Sequence, residues 1–377
     1  MVASGYLVLQ LTDSTFQTQL VGVAFFSSML LGGVLSGLVA DAFDRRSVLI
    51  FSHVFDLLVL GITAVLVYTG LAEGWHIIVL SALYGIPHTL DMATRRNFAL
   101  DIVGRNHISY ANALEGMSMM AAGSLGPFFA GWLIDVFPLG NSADAASPYL
   151  FMIALYSGAL IALLTIPARP HKKVPLRAGS ILPPILEGLA AVRSNHAIVG
   201  TLGIILTMNL FYYSYIPLVP VFADKVLNVG PALLGVLAAS QGLGAFLTTV
   251  FITTRRSITR NSTYFITGTL VSFLGLLIFS LSDSYLVSVG ALMLAGLGMS
   301  GFVSMAFSLV LLSVDDNLGG RAMGFANTAI GISPLSMLAL GWFAEAFGAG
   351  IAVTISASLG LTISAAWSYR SASMRKL

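Results

Sequence analysis

The stretch GLVADAFDRR, residues 37–46, carries its charges at Asp41, Asp44, Arg45 and Arg46. Its first charged residue, Asp41, directly follows residues 14–40, which contain no charged side chain. Charged groups are costly within the hydrocarbon of a bilayer, so in an apolar chain they belong in the connections between membrane helices. The stretch therefore predicts a short polar turn between two membrane-spanning helices.

The composition of the whole chain supports this interpretation. Of the 377 residues, 57% are hydrophobic and 9% are charged, whereas soluble domains carry about 25% charged residues. Apolar stretches of roughly 20 residues, each long enough to cross a bilayer as a helix, recur along the chain. The predicted fold class is therefore an all-α polytopic membrane protein. The absence of cysteine excludes disulfides and thiol chemistry.

Twelve membrane segments are predicted, and the first is too short to span. We therefore expect about eleven full spans. The predicted segments are 1–11, 17–40, 47–70, 76–98, 108–137, 148–167, 197–222, 231–254, 262–282, 286–312, 322–347 and 351–370.

The lysines and arginines divide the connections into two groups. All 18 of them except Lys225 lie in or beside the connections 41–46, 99–107, 168–196, 255–261, 313–321 and the C-terminal tail. Basic residues concentrate in cytoplasmic loops, so we expect these connections and the C-terminus to be cytoplasmic. The longest is basic and proline-rich, and we interpret residues 168–196 as a linker between an N-terminal bundle (1–167) and a C-terminal bundle (197–377). A regulatory or lipid-binding element is the alternative.

Three pairs of similar segments recur at similar separations, each six spans apart. They indicate two six-helix repeats in the same orientation. The seventh span starts near residue 197, so its counterpart would start before Met1, and we expect the first helix to be a stub from a late start or a truncated variant. The pairs are YANALEGM (110–117) with FANTAIGI (325–332), GWLIDVF (131–137) with GWFAEAF (341–347), and LVGV (20–23) with LLGV (233–236).

Two six-helix halves, a basic central loop and a charged turn after the second span resemble the major facilitator superfamily. The turn is similar to that family's signature between helices 2 and 3, and the matching residues are Gly37, Asp41, Arg45 and Arg46. Ala42 and Asp44 depart from it. The segments LDMATRRNFALDIV (90–103) and NALEGMSMMAAGSLGPFFAG (112–131) look like the efflux-permease branch that includes siderophore and macrolide exporters.

The resemblance implies a secondary transporter, not an enzyme, that works by alternating access as a monomer. It implies multi-pass insertion in the bacterial cytoplasmic (inner) membrane and export of a small amphipathic compound in exchange for protons. Uptake of a polar nutrient is one alternative, and a degenerate, non-transporting protein with a sensory or scaffold role is another.

The resemblance also implies a role for the charged turn. In the family, the acidic residue acts as a cytoplasmic latch against the start of helix 11, which here is NLGGRAMGF (317–325). Asp41 would then lie near Gly319, Gly320 and Arg321, where a carboxylate is stabilised by the free N–H groups of a helix start. The alternative is that these charges only determine orientation.

Two carboxyl groups within predicted spans are candidates for coupling transport to protons or substrate. Asp56 and Glu115 have no lysine or arginine within one turn of their own helices, and intramembrane carboxyls of this kind mark proton relays. A carboxyl bonded to a neighbouring helix is the alternative. Asp91 and Arg95, four residues apart, form a charge pair on one helix face, which we interpret as structural rather than substrate-binding. His88 is interpreted as a packing residue.

Helix 5 carries Gly123, Gly126, Pro127 and Gly131, which resemble the helix 5 motif of drug/proton antiporters. Glycine permits close helix approach and proline bends a helix, although ordinary packing would also use them. In helix 7 the polar tips of Tyr212, Tyr213 and Tyr215 are typical of a cavity for an amphipathic substrate, and core packing explains them equally well.

Other functions find no support in the sequence. No phosphate-binding glycine loop is followed by Lys-Ser or Lys-Thr, and no metal-ligand spacing occurs, so we expect no cofactor. Partners are expected to be a small molecule, protons and the lipid bilayer, with no nucleic acid. Asp135 and Glu345, at the outer ends of helices 5 and 11, are assigned no catalytic role.

Overall fold

A computed structural model describes residues 1–104, 107–137, 146–167, 196–254, 261–312 and 331–370. These residues form helices, and no strand occurs in the ranges just given. The linker at 168–195 and the predicted start of helix 11, with Gly319, Gly320 and Arg321, lie outside them. The fold is thus all-helical, as the composition predicted.

The helices of the first part of the chain run from α1 to α6. They are α1 (Val2–Thr12), α2 (Thr15–Ala42), α3 (Arg45–Tyr68), α4 (Gly74–Val103), α5 (Ile108–Val136) and α6 (Ser147–Thr165). The fourth helix extends beyond the predicted span end at residue 98, as far as Val103, and Gly104 is its C-cap.

The second part of the chain begins with a helix that changes its geometry. Helix α7 (His196–Thr207) is followed by a π-helical turn, Met208–Tyr212, a 3₁₀ segment, Tyr213–Leu218, and a further irregular stretch as far as Val226. We call 208–226 the irregular segment. The span predicted at 197–222 is thus not a regular α-helix, and from Tyr213 onward Pro217 and Pro220 lack the N–H that an α-helix needs.

The remaining helices are regular. They are α8 (Pro231–Thr254), α9 (Asn261–Ser280), α10 (Tyr285–Leu312), α11 (Ser333–Phe347) and α12 (Ala349–Arg370). Helix α9 packs on α10, and α11 packs on α12.

Eight segments of the described residues are long and apolar enough to cross a membrane, and Val2–Thr12 is a shorter apolar helix. Helices α2 and α4 have the length of a span but are not among the eight, and the described part of α11 is 15 residues long. The eight are Arg45–Tyr68, Leu114–Val136, Ser147–Thr165, Ile198–Val226, Pro231–Phe251, Ser262–Ser280, Tyr285–Ala306 and Ala349–Arg370.

The helices pack around two buried clusters, and two helix pairs connect the first part of the chain with the second. Helix α4 packs on α2 and α3, and α10 packs on α8 and α9. One buried cluster joins residues of α7–α12 and the irregular segment with Leu9, and a second joins residues of α1–α6 around Leu7 and Tyr149. Between the two parts of the chain, α5 packs on α8 and α2 packs on α11.

The charged turn at residues 37–46 contains a helix cap. Asp44 is the N-cap of α3, and its carboxylate accepts hydrogen bonds from the backbone N–H and the hydroxyl of Ser47, both at 2.9 Å. A cap of this kind satisfies a donor that has no partner within the helix. Asp44 departs from the family signature, and this contact gives it a structural role.

Candidate functional site

A polar pocket lies among α3, α4 and α6. It has a volume of about 250 Å³, and its ionisable lining residues are His53, Asp56, His88, Asp91 and Arg95. Two carboxyls, two imidazoles and a guanidinium therefore share one small cavity within the helices. This pocket is called the Asp56 pocket below.

Helix α3 places Asp56 on its buried face. Ser52, Asp56, Leu60 and Thr63 follow one another at helical spacing and are all buried. The side chain of Asp56 is 2% exposed, and among the described residues its Oδ1 has no hydrogen-bond partner. A buried oxygen without a partner is costly, so it is a position at which a proton or a ligand would be stabilised.

Arg95 connects two of the other predicted residues. Its guanidinium lies 3.4 Å from an oxygen of Asp91, one turn earlier on α4, and 3.8 Å from an oxygen of Glu115 on α5. The structure therefore brings Asp56, Asp91 and Arg95 to one pocket, and Glu115 contacts that pocket through Arg95. The side chain of Arg95 is half exposed, at 54%.

His53 belongs to the same pocket and was not singled out in the sequence. Its Nδ1 lies 3.9 Å from Asp91 and 3.0 Å from the carbonyl oxygen of Leu49. His53 could have been predicted from its position three residues before Asp56, because residues at that spacing lie on one side of a helix. His88, interpreted as a packing residue, also lines this pocket.

A larger cavity of about 450 Å³ adjoins the Asp56 pocket. His88 lines both cavities, and Tyr84, which lines the larger one, hydrogen-bonds through its hydroxyl to the hydroxyl of Tyr156 in the Asp56 pocket. Phe25 packs against the rings of Tyr84 and His88. The Asp56 pocket is thus continuous with aromatic side chains of α2 and α4.

A third cavity, of about 180 Å³, lies between α2 and the second part of the chain. Its lining is mostly apolar, with Phe26 of α2 opposite Phe302 of α10, while Asn209, Tyr213 and Ser333 supply polar groups. We call it the central cavity. Its position between two helical parts suits a ligand that contacts both.

The three tyrosines of helix 7 have different surroundings. Tyr213 lines the central cavity, whereas Tyr212 and Tyr215 are 0% and 1% exposed within the core. The hydroxyl of Tyr215 donates to Gln241 at 2.6 Å, and the amide of Gln241 donates to the hydroxyl of Tyr212 at 3.2 Å. Only Tyr213 of the three therefore lies where a substrate in this cavity would touch it.

Two of the helix 5 glycines lie at the contact between α5 and α8. A Cβ on Gly131 would lie 2.2 Å from the carbonyl oxygen of Pro231, and one on Gly242 would lie 2.9 Å from the carbonyl of Gly123. A Cβ on Gly235 would lie 2.9 Å from the carbonyl oxygen of Pro127. A Cβ on Gly123 or Gly126 itself would meet no described atom within 4 Å apart from chain neighbours and the backbone of its own helix.

The arginines of the predicted latch contact neighbouring helices. Arg45 donates from Nη1 to both carboxylate oxygens of Asp101 at 2.7 Å, and Arg46 donates to the carbonyl oxygen of Leu164 at the end of α6. These contacts tie the start of α3 to α4 and α6. The side chain of Asp41 and the surroundings of Gly37 lie outside the described residues.

This arrangement of apolar helices around internal cavities is that of a polytopic membrane protein. A sequence model of the Major Facilitator Superfamily matches residues 1–337. The chain belongs to this family, whose members are generally transporters rather than enzymes.

Several known transporters are similar to this chain in sequence or in fold. The chain is 25% identical over 359 residues to the uncharacterized MFS-type transporter YfiS of Bacillus subtilis (strain 168), covering 93% of this chain and 78% of YfiS. Its fold is similar to a mutant of the nucleoside transporter NupG, with a TM-score of 0.69, 15% identity, and coverage of 97% of this chain and 93% of NupG. The inward-open xylose transporter XylE of E. coli gives a TM-score of 0.67 and 11% identity, with coverage of 98% and 95%.

Proposed function

We propose that this protein exports a small amphipathic compound across the cytoplasmic membrane in exchange for protons. Transport would proceed by alternating access, as the bundle at 1–167 rocks against the bundle at 197–377 around the central cavity. The observation that carries the proposal is the buried carboxyl of Asp56, whose Oδ1 has no hydrogen-bond partner among the described residues, in a pocket that also holds Asp91.

Charge balance in the Asp56 pocket supports proton coupling. Arg95 is the guanidinium among the described lining residues, and it lies against Asp91 and Glu115 rather than against Asp56. A buried carboxylate is costly unless its negative charge is paired or neutralised. Binding a proton from the medium neutralises that charge. We propose Asp56 as the site that takes up and releases the proton, with Glu115 coupled to it through Arg95 and Asp91.

The central cavity supports an amphipathic substrate. Phe26, Phe302 and Tyr213 present rings, and Asn209 and Ser333 present a few polar atoms. Pockets for small organic molecules combine a mainly apolar lining with a small number of polar groups in this way. A compound with an apolar body and one or two polar groups fits that description.

The cytoplasmic latch is the third part of the proposal. Asp41 would hold the start of helix 11 near Gly320 when the transporter faces outward. In this cysteine-free chain, an Asp41→Cys, Gly320→Cys pair can be cross-linked without competing thiols. We expect cross-linking in one conformation only, and no product in any state would contradict the latch.

Uptake of a polar nutrient is the second candidate, and the charged lining of the Asp56 pocket favours it. The two candidates differ in direction. A deletion strain is first screened for altered susceptibility to toxic amphipathic compounds and siderophores, and a compound found in this way is then assayed in inverted membrane vesicles with an imposed pH gradient. Export predicts accumulation in these vesicles when their interior is acidic.

Asp56→Asn and Glu115→Gln are compared with wild type in the same vesicles. We expect Asp56→Asn to abolish proton-driven accumulation, and Glu115→Gln to reduce it. Proton-driven flux that is unchanged in both variants would contradict the coupling assignment. Movement into right-side-out vesicles would favour uptake, and no transport of any screened compound would favour the non-transporting alternative.

A further inference from the structure

Glu345, near the end of α11, contacts the start of α2. Its Oε1 accepts a hydrogen bond from the hydroxyl of Ser14 at 3.1 Å, and its Oε2 accepts one from the backbone N–H of Phe16 at 3.0 Å. Its position in the sequence predicted no catalytic role for it. The contact joins two helices that are far apart in the chain but packed together in the fold.

The chemistry of this contact suits a carboxylate. The first N–H groups of a helix have no partner within the helix, and the helix dipole makes this end electropositive. Ser14 is the N-cap of α2, and its hydroxyl accepts from the N–H of Gln17 at 3.2 Å while donating to Glu345. The carboxylate therefore completes the cap of α2 from another helix, through two charge-assisted hydrogen bonds.

Lys225 also contacts the same turn. Lys225, at the end of the irregular segment, lies 2.8 Å from the carboxylate of Asp13 and donates to the carbonyl oxygen of Asp13 at 2.7 Å. Asp13 is 89% exposed, so this ion pair contributes little by itself. Together the two contacts tie the α1–α2 turn to two elements of the second part of the chain.

The hydrogen bonds to Glu345 lie beside a close contact between α2 and α11. One turn before Glu345, a Cβ on Gly341 would lie 2.7 Å from Cγ of Gln19, and the side-chain amide of Gln19 donates to the carbonyl of Ser214 at 2.7 Å. We call the contact of α2 with α11 the α2–α11 seam. The two helices cannot part at this end without breaking the bonds to Glu345.

We propose that Glu345 is a conformational latch that keeps the α2–α11 seam closed at the end of the molecule bearing the α1–α2 turn. The transport cycle would have to open this seam once per turnover, and the carboxylate sets how often it opens. The inference uses only the transporter class and is independent of the substrate and of proton coupling.

Asp135 provides a matched control within the chain. It occupies the position in GWLIDVF that Glu345 occupies in GWFAEAF, on α5 instead of α11, but its side chain is exposed. The α5–α8 contact beside it is closed by glycine backbones. Among the described residues, a close glycine contact occurs on both sides, and on the α2–α11 side the carboxylate of Glu345 adds hydrogen bonds.

The latch can be measured by the distance between two labelled turns. Leu71 and Leu281 are 67% and 66% exposed, in the α3–α4 and α9–α10 connections, and spin labels on Leu71→Cys and Leu281→Cys in the cysteine-free chain report the opening of this end by double electron–electron resonance. Both partners of Glu345 are donors, so in Glu345→Gln the charge is lost and the amide NH₂ faces one of them. We expect the open-to-closed ratio to rise about fivefold or more.

Two further variants make the result decisive. Ser14→Ala removes one of the two hydrogen bonds and should shift the ratio in the same direction by a smaller factor, which covers the case in which Glu345→Gln does not fold. Asp135→Asn should leave the distance distribution unchanged. A wild-type distribution in both Glu345→Gln and Ser14→Ala, or an equal shift in Asp135→Asn, would overturn the latch.

Discussion

Gly131 of α5 and Gly235 of α8 meet backbone to backbone: a Cβ built on Gly131 would lie 2.6 Å from the Cα of Gly235. Real Cβ atoms do not approach this closely, so both positions exclude a larger side chain in the observed arrangement. The contact closes the α5–α8 side of the molecule, as the α2–α11 seam closes the other. Both contacts must loosen if the two parts of the chain separate.

Gly131→Val is therefore expected to force α5 and α8 apart, whereas Gly126→Val is expected to be tolerated, because no described atom lies within 4 Å of a Cβ at Gly126. The cost of such overpacking is about 1–3 kcal/mol. Spin labels on Leu71→Cys and Leu281→Cys would report more of the open form for Gly131→Val, and size-exclusion profiles would check that both variants fold. Equal behaviour of the two valine variants would show that the glycine contact is not required.

Asp44→Ala should destabilise the protein by about 1 kcal/mol, because it removes the cap of α3. Asp44→Ser retains a side-chain oxygen that can accept from the N–H of Ser47, so it should recover most of the loss. Thermal unfolding in detergent measures both variants against wild type. The interpretation fails if serine and alanine are equally destabilising.

Arg95→Gln should destabilise the protein, since it leaves Asp91 and Glu115 without the guanidinium that lies 3.4 and 3.8 Å from them. The side chain of Arg95 is half exposed, so we expect about 1 kcal/mol rather than the full cost of breaking a buried pair. Arg95→Lys retains the charge and serves as the control. If the lysine and glutamine variants melt at the same temperature, the charge does not stabilise this site.

Tyr213 and Tyr215 should respond differently to substitution. Tyr213→Phe removes a hydroxyl from a residue that lines the central cavity but keeps the ring that packs against the core, and it is expected to raise the KM for the transported compound with little change in stability. Tyr215→Phe removes the buried hydrogen bond to Gln241 and should lower stability by about 1 kcal/mol with KM unchanged. Paired transport and unfolding measurements separate the effects, and the reverse pattern would place the substrate elsewhere.

Several features of the site could be predicted because they depend on local spacing. Asp91 and Arg95 meet because residues four apart share one face of a helix, and Asp56 is buried because α3 presents it with Ser52, Leu60 and Thr63. The contact of Glu115 with Arg95 could not be predicted, since it depends on how α4 and α5 are placed. It could also not be predicted which helix 7 tyrosines lie in the core and which line the cavity. That depends on how the helices are placed and on the irregular turns around Pro217.

The amino-acid sequence alone was enough to predict that this protein spans a lipid bilayer, that it is all-helical and to which family it belongs. These follow from composition, from the length of apolar stretches and from motifs, which do not depend on distant contacts. Only the tertiary structure decided which charges meet. Glu345 is an ordinary acidic residue near a helix end in the sequence, and it caps α2 because the fold places that helix start within 3.0 Å of its carboxylate.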